Sequence, residues 1–377
     1  MITIPLVNPD LPPFAVLEPG FREILENGQI TNFGKYVRAF EEAAASFLGC
    51  EVVTVSSGTT GMILALQAAG LQPGDKVIVP SFTFMATAQA ILYAGGIPTF
   101  AEVGPDLTIA CSDLAHLLAE HVEARVVLPI HTFGLPAHTN EIKEIVSDTK
   151  RRYSRPISLV YDAAHSFGSA SDGQLVGAFG DAEVFSLSAT KVLVAAEGGL
   201  VSSQNPELIA KIRHMRNYGI QDSYNAGLPG LNGKMSEFHA LIGLHNLRQI
   251  PTIMTKRAQI ARYYRQQIQD HTQFELLPWP EGTTHTFKDF TVLVPQAKIG
   301  QRDEMMRRLQ RLGIETRSYF SPPLHQQRHF KRYADRPLPL TEEAAQRVIT
   351  LPFFTTMRRT QVDAVVEALV KVAGGQP

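Results

Sequence analysis

Between Lys35 and Leu48 the apolar side chains Val37, Phe40, Ala44 and Phe47 return every three or four residues, while Glu41 and Glu42 fall on the other side and Gly49 follows. That period matches one turn of an α-helix, so the segment reads as an amphipathic helix closed by a glycine. Beyond it the pattern alternates. Val52 to Val55 is a short apolar run and Met62 to Leu66 a helical segment; after the turn Gln72-Pro73-Gly74-Asp75 comes a second run, Val77 to Val79. Similar runs occur at Ile97 to Ala101, Val126 to Ile130, Ile157 to Tyr161, Val184 to Leu187 and Leu200 to Ser202. Continuous apolar strands separated by helical stretches predict an α/β fold whose mostly parallel sheet is covered by helices on both faces.

After Ser203 the sequence predicts long polar helices over Pro206 to Arg216 and Lys234 to Arg248, then a helix from Pro251 to Gln269 leading away from the sheet. From about Gln273 short strands such as Phe290 to Val294 mix with helices at Arg302 to Leu312 and Thr360 to Ala373, a smaller α+β pattern. A chain of 377 residues is long enough for two such units. The expected division is a large domain over 1–250, including the N-terminal segment, and a small one over 251–377.

Charge and composition remove several classes. The net charge is −1 with no clustered basic tract, so neither nucleic acid nor a membrane surface is an expected partner. The apolar stretch from Phe84 to Ala101 is broken by Gln89, Gly95, Gly96 and Pro98 and reads as a helix turning into a strand, not a membrane span. Cys50 and Cys111 form no CxxC pair, which fits a reducing compartment. Met1 to Pro5 has no basic flank or long apolar core, so no signal peptide is read and a cytoplasmic protein is expected.

The chemistry concentrates in two strand ends. Leu159-Val160-Tyr161-Asp162 ends in a carboxylate, and Phe185-Ser186-Leu187-Ser188-Ala189-Thr190-Lys191 leads to an amine. A lone lysine is ordinarily a solvated surface residue and a strand-end aspartate a turn residue. Together and in order they suit pyridoxal phosphate, whose aldehyde condenses with an amine and whose ring nitrogen needs a carboxylate to stay protonated. Ser56-Ser57-Gly58-Thr59-Thr60-Gly61, between a strand and a helix, reads either as a phosphate cradle or as an ordinary N-cap. Phe84 reads either as an aromatic stacked on a flat ring or as plain core, and His165 as a cofactor contact or a structural histidine. No P-loop lysine, GxGxxG or G-x-S-x-G occurs, and His121, His131 and His138 lack zinc-ligand spacing, so no metal is expected.

The motif set closely resembles the sugar aminotransferases of the DegT/DnrJ/StrS type, which are fold-type I pyridoxal phosphate enzymes. The resemblance runs through Ile30 to Lys35, Ser57-Gly58-Thr59, Pro73-Gly74-Asp75, Val79 to Phe84 and His131-Thr132-Phe133-Gly134. It continues through Asp162 to His165, Gly180-Asp181, Phe185 to Lys191, Gly198-Gly199, Arg216 to Gly219 and Gly230 to Glu237. It implies Lys191 as the Schiff-base lysine, Asp162 as the partner of the ring nitrogen and Phe84 as the stacking aromatic. It gives Gly58, Thr59 and Ser186 to the phosphate, sets His165 near the ring hydroxyl, and makes Asn232 reach the phosphate in a neighbouring subunit, so that a homodimer shares its sites.

The resemblance further implies pyridoxal 5'-phosphate cycling through pyridoxamine phosphate, with L-glutamate as donor and a nucleotide-linked keto sugar as acceptor. Ile30 to Lys35, Gly230 to Glu237 and Gly313 to His325 look most like enzymes that aminate C4 of a dTDP-4-keto-6-deoxyhexose, giving dTDP-4-amino-4,6-dideoxyglucose; Phe33, Lys234, Tyr319 and His325 are then the sugar-nucleotide contacts, with Tyr319 and His325 reading equally as interdomain packing. A C3-keto sugar, a C4 epimer, a UDP-linked acceptor or a cyclitol are the alternatives. A regulator that kept the fold would have lost one of the chemical residues, and none is lost. Ala189 and Val192 stand where relatives often have Pro and Asn, and Lys234 replaces a common Arg, keeping the charge but not the planar fork.

Overall fold

The computed structural model describes residues 3–374. Met1 and Ile2, used in reading the N-terminus, and residues 375–377 of the expected small domain lie outside them. Helices α1 (Phe14–Asn27) and α2 (Lys35–Leu48) precede β1 (Glu51–Val55), α3 (Gly58–Ala68), β2 (Lys76–Pro80), α4 (Met85–Tyr93) and β3 (Ile97–Ala101). There follow α5 (Cys111–Glu120), β4 (Ala124–Val127), α6 (Thr139–Tyr153), β5 (Ser158–Asp162), the small hairpin β6 (Ala170–Ser171) and β7 (Gln174–Leu175), β8 (Ala182–Ser186), β9 (Gly199–Ser203) and α7 (Pro206–Met215).

Seven of these strands form one sheet in the order β1-β9-β8-β5-β4-β2-β3. The block from β8 to β3 is parallel, and β9 runs antiparallel to both β8 and β1. Helices cover both faces, so Val77, Ile78, Val79, Val126, Val127 and Val160 lose all contact with solvent. The run expected over Val126 to Ile130 pairs regularly only to Val127. Pro129 has no N–H to give the ladder, and Ile130 makes a single bridge to Asp162.

Helix α2 ends at Gly49, which takes φ 71°, a left-handed conformation that costs glycine little. Glu41 is a correction to the expected solvated side of α2. It is buried, and Oε1 accepts from Thr54 N (2.9 Å), Thr54 Oγ1 (2.8 Å) and Arg216 Nη1 (2.5 Å). A buried carboxylate persists there because a cation and two further donors answer it.

The hairpin β10 (Ile220–Asp222) and β11 (Asn225–Ala226) is followed by α8, which is a second correction. It spans Glu237–Leu247, not Lys234 onward, because the Ser236 hydroxyl caps it by accepting from His239 N. Lys234 therefore lies in the preceding loop. Nor is α8 polar: packed on α1 and α2, it buries Ala240, Leu241, Leu244 and Leu247.

Helix α9 (Ile250–His271) starts in the core around α2 and α8 with Ile250 and Ile253, and ends in another with Ala261, Tyr264 and Ile268. That second core is closed by the sheet of β12 (Glu275–Leu276), β14 (Phe290–Leu293) and β15 (Val348–Leu351), with α10 (Arg302–Arg311) and α12 (Arg359–Ala373) against it. Ile4, bridged to Ile314, also packs into it. Strand β13 (Thr283–Thr284) pairs instead with β6, and α11 (Pro339–Arg347) leads into β15. Among the described residues no helix is long and apolar enough to cross a membrane.

Candidate active site

Residues at the C-terminal ends of parallel strands meet over the edge of the sheet, where open α/β folds leave a crevice. Asp162 is the last residue of β5. Its N–H donates to Pro129 O (2.9 Å), its carbonyl accepts from His131 N (3.1 Å), and its carboxylate accepts from Thr87 Oγ1 (2.7 Å) and Ala164 N (3.0 Å). The side chain is thus buried and held in one direction.

Five residues beyond the end of β8, Lys191 sits in a loop tied down by Lys191 N to Ser188 O and Ala195 N to Leu187 O, both 2.9 Å. Asp162 and Lys191 line one cavity of about 410 Å³. Burial lowers the Lys191 pKa to about 8, assisted by the positive charge of Lys288, while Asp289 and Asp162 oppose the shift. An amine so placed is half neutral near that pH and can act as nucleophile and proton carrier.

Gly58 and Thr59 open α3 at the cavity wall. Ser57 caps this helix, its hydroxyl accepting from Thr60 N at 3.1 Å, so the N-cap reading is right as far as it goes. The cap leaves other first-turn N–H groups to meet an anion. Close packing keeps the turn narrow: a Cβ on Gly199 would lie 2.8 Å from Gly58 N, and one on Gly58 3.0 Å from Ser186 Cβ.

Ser186, Phe84, His165 and Tyr319 complete the set of sequence candidates in the cavity. Phe84 is 50% exposed and not core. His165 Nδ1 is buried without a hydrogen-bond partner, 3.9 Å from Asp289 Oδ2. Burial first, then Lys191 and Lys288, pushes the His165 pKa well down, so the ring is neutral.

Four candidates are not brought into this cavity. Asn232 bridges Asn217 and accepts from Lys234 Nζ at 2.7 Å, and that Nζ stands 4.5 Å from the Tyr218 ring centre. Phe33 lies under the Arg216 guanidinium at 4.2 Å. His325 is a correction: it is buried, with Nδ1 2.7 Å from Ser81 Oγ and Nε2 3.1 Å from Glu342 Oε1, so both ring nitrogens are taken and it packs rather than faces a sugar. The stretches at 30–35 and 230–237 do lie together, through Glu237 N to Ile30 O (3.0 Å) and Tyr36 N to Glu237 Oε2 (2.7 Å).

Sequence reasoning missed Thr87, Glu197, Lys288 and Asp289 at the cavity. Thr87 had a signal, four residues after Thr83 and in the first turn of the helix expected from Phe84 onward. Lys288 and Asp289 had none, since adjacent opposite charges ahead of a strand are common on surfaces.

Residues 18–370 match the DegT/DnrJ/EryC1/StrS aminotransferase family. The chain belongs to this family. Among similar proteins, the UDP-N-acetyl-3-dehydro-alpha-D-glucosamine 3-aminotransferase of Acidithiobacillus ferrooxidans is 31% identical over 94% of this chain and 93% of its own. The dTDP-4-amino-4,6-dideoxy-D-glucose transaminase of Shigella dysenteriae is 31% identical over 84% of each. The crystal structure of DesI in the presence of its TDP-sugar product has a TM-score of 0.90 at 31% identity, covering 99% of this chain and 93% of that one.

As a DegT-family sugar aminotransferase, the enzyme depends on pyridoxal 5'-phosphate. The residues present fit that group. A partly neutral amine, a fixed carboxylate, a helix N-terminus and an open aromatic face line a cavity of about 410 Å³.

Proposed function

We propose that this DegT-family enzyme moves the amino group of L-glutamate to C4 of dTDP-4-keto-6-deoxyglucose, giving dTDP-4-amino-4,6-dideoxyglucose. The observation that carries the chemistry is the convergence of Lys191 and Asp162 on one cavity. The C4 and dTDP choice is supported by the likeness to the Shigella dysenteriae transaminase and to DesI with its TDP-sugar product. A second reading, amination of C3 on a UDP-linked sugar, is supported by the equally identical Acidithiobacillus ferrooxidans relative.

When bound, the cofactor withdraws electrons from the carbon that carries the amine and so loosens its proton. Lys191 Nζ would hold the cofactor by its aldehyde and, as a free amine, would take the proton from the donor Cα. Its neutrality is the condition for that transfer, and its burial supplies it. Asp162, aimed by Thr87 and the Ala164 N–H, would keep the ring nitrogen protonated. The helix N-terminus at Gly58 and Thr59, with the Ser186 hydroxyl, would bind the phosphate; Phe84 would cover the ring, and neutral His165 would stand by the ring hydroxyl. In the second half Lys191 would work in reverse, as the acid that gives a proton to the sugar carbon receiving the amine.

Asn232 and Lys234 are assigned to the site of a neighbouring copy in a homodimer, which their position outside their own chain's cavity supports. Tyr319, and Phe33 from across the dimer, are the proposed sugar-nucleotide contacts. Cytoplasmic residence is supported by two cysteines that are both free thiols. The test is to supply dTDP- and UDP-linked keto sugars with L-glutamate and identify the aminated carbon by mass and NMR. A C4 amine on the dTDP sugar is expected. A C3 amine made only on a UDP sugar overturns the acceptor, and no amine on any sugar overturns the reading.

A further inference from the structure

Lys288 stands in the cavity wall just ahead of β14, its side chain 6% exposed. Its Nζ donates to Asp289 Oδ1 at 2.7 Å and lies 5.7 Å from the Tyr319 ring centre. An ammonium carries three N–H donors. Among the described residues Asp289 is its one hydrogen-bond acceptor, so two donors stay unfilled at the wall of a cavity. Asp289 Oδ2 is likewise buried and unpartnered. Among the described residues no arginine lines the cavity, so Lys288 is the cation that the same chain places there besides Lys191; Lys234, assigned above to a neighbouring copy's site, comes from outside it.

The anion that completes this pair is limited by reach. Lys191 must take a proton from a carbon bonded directly to the donor's carboxylate, so the group holding that carboxylate has to stand in the same cavity. Lys288 meets that condition, and its charge is felt at Lys191. A nucleotide-linked sugar fits less well, because its diphosphate is separated from the reacting carbon by the sugar ring, and the ring itself carries no charge. The neighbouring carboxylate then has a purpose. Once the donor has left and an uncharged ring enters, Lys288 is not stranded as a lone buried charge, because Asp289 still holds it.

We propose that Lys288 binds the α-carboxylate of the amino-group donor, and that Asp289 takes up its charge alone when the uncharged sugar ring occupies the same cavity. This rests on the donor half of the reaction proposed above. It makes one cavity serve an anionic group and an uncharged sugar ring in turn.

The test compares wild-type holoenzyme with Lys288→Met and with Lys288→Met/Asp289→Asn, the second leaving no lone buried carboxylate if the first folds badly. Three quantities are read. One is equilibrium binding of α-methyl-L-glutamate, which has no Cα proton to lose, followed through the cofactor's absorbance. Another is the preference for L-glutamate over 4-aminobutanoate, the same molecule without its α-carboxylate. The last is the single-turnover rate of the sugar half-reaction.

Loss of a charge-assisted hydrogen bond predicts binding weaker by roughly 10- to 150-fold in both variants, with the glutamate preference falling by a like factor. The sugar half-reaction should hold in the double variant, and Lys288→Arg should recover part of the binding. Unchanged binding and preference overturn the proposal, as does equal damage to both half-reactions. A wild-type enzyme that ignores L-glutamate and uses another amino acid overturns only the donor named above, and the same variants decide Lys288 with that amino acid and its decarboxylated amine.

Discussion

Lys191 carries two demands that only its surroundings reconcile: it must be neutral to take a proton, and it must be an amine. Its pKa of about 8, against an ordinary 10.5, follows from burial first and Lys288 second. The sign of the effect on stability is fixed by proton counts. Between about 8 and 10.5 the unfolded chain holds a proton on this lysine that the folded chain has released, so this group's contribution to stability rises with pH across that window. Below about 8 its full burial cost applies. Titration of Lys191 in cofactor-free protein, by NMR of a ¹³C-dimethylated amine, should show a midpoint near 8, and Lys288→Met should move it upward.

Lys191→Ala should lower the rate of donor deprotonation on the order of 10²- to 10⁴-fold or more in single-turnover absorbance. Thr87→Val removes a 2.7 Å bond to the Asp162 carboxylate. It should cost roughly 10- to 100-fold in the same measurement, and Asp162→Asn more. An unchanged rate in any of these three variants would remove the substituted residue from the mechanism.

Helices and loops hold these side chains through contacts that charge or size makes specific. Arg216 Nη1 joins Glu41, the Thr54 carbonyl and the Thr54 hydroxyl, pinning α2, β1 and the end of α7 together beside the loop that carries Asn232. Glu41→Ala strands a buried guanidinium and should destabilise the protein by about 3–5 kcal/mol in chemical denaturation, where a surface pair would cost little. The turn into α3 depends on a missing side chain. Gly199→Ala puts a Cβ 2.8 Å from backbone atoms of Ser57 and Gly58. The variant should fold yet hold pyridoxal phosphate more weakly, read by equilibrium dialysis; wild-type retention would show that the turn gives way freely.

In the whole molecule, the sites depend on chain association if Asn232 serves a neighbour. Mixing equal amounts of Lys191→Ala and Asn232→Ala chains under conditions of subunit exchange should then restore activity that neither has alone. In a symmetric dimer about a quarter of the sites come out intact. No recovery in mixtures that light scattering shows to be heterodimeric would assign Asn232 to its own chain.

Much was legible along the chain because it is local. Apolar runs of strand length, the turn Pro73-Gly74-Asp75 and the glycine closing α2 express backbone and burial preferences within a few residues, so the sheet strands and the ends of β5 and β8 could be read directly. Lys191 and Asp162 were legible for the same reason, each following its strand at a fixed offset. The buried role of Glu41, the late start of α8, the satisfied ring of His325 and the place of Lys288 and Asp289 in the cavity were not. Each depends on a partner tens to hundreds of residues away: Arg216 for Glu41, Ser81 for His325, and a cavity closed from both ends of the chain for Lys288. Sequence determined which segments hide from water and where the reactive groups leave the strands. Tertiary packing alone decided which charges meet, because burial and pairing are set by neighbours in space.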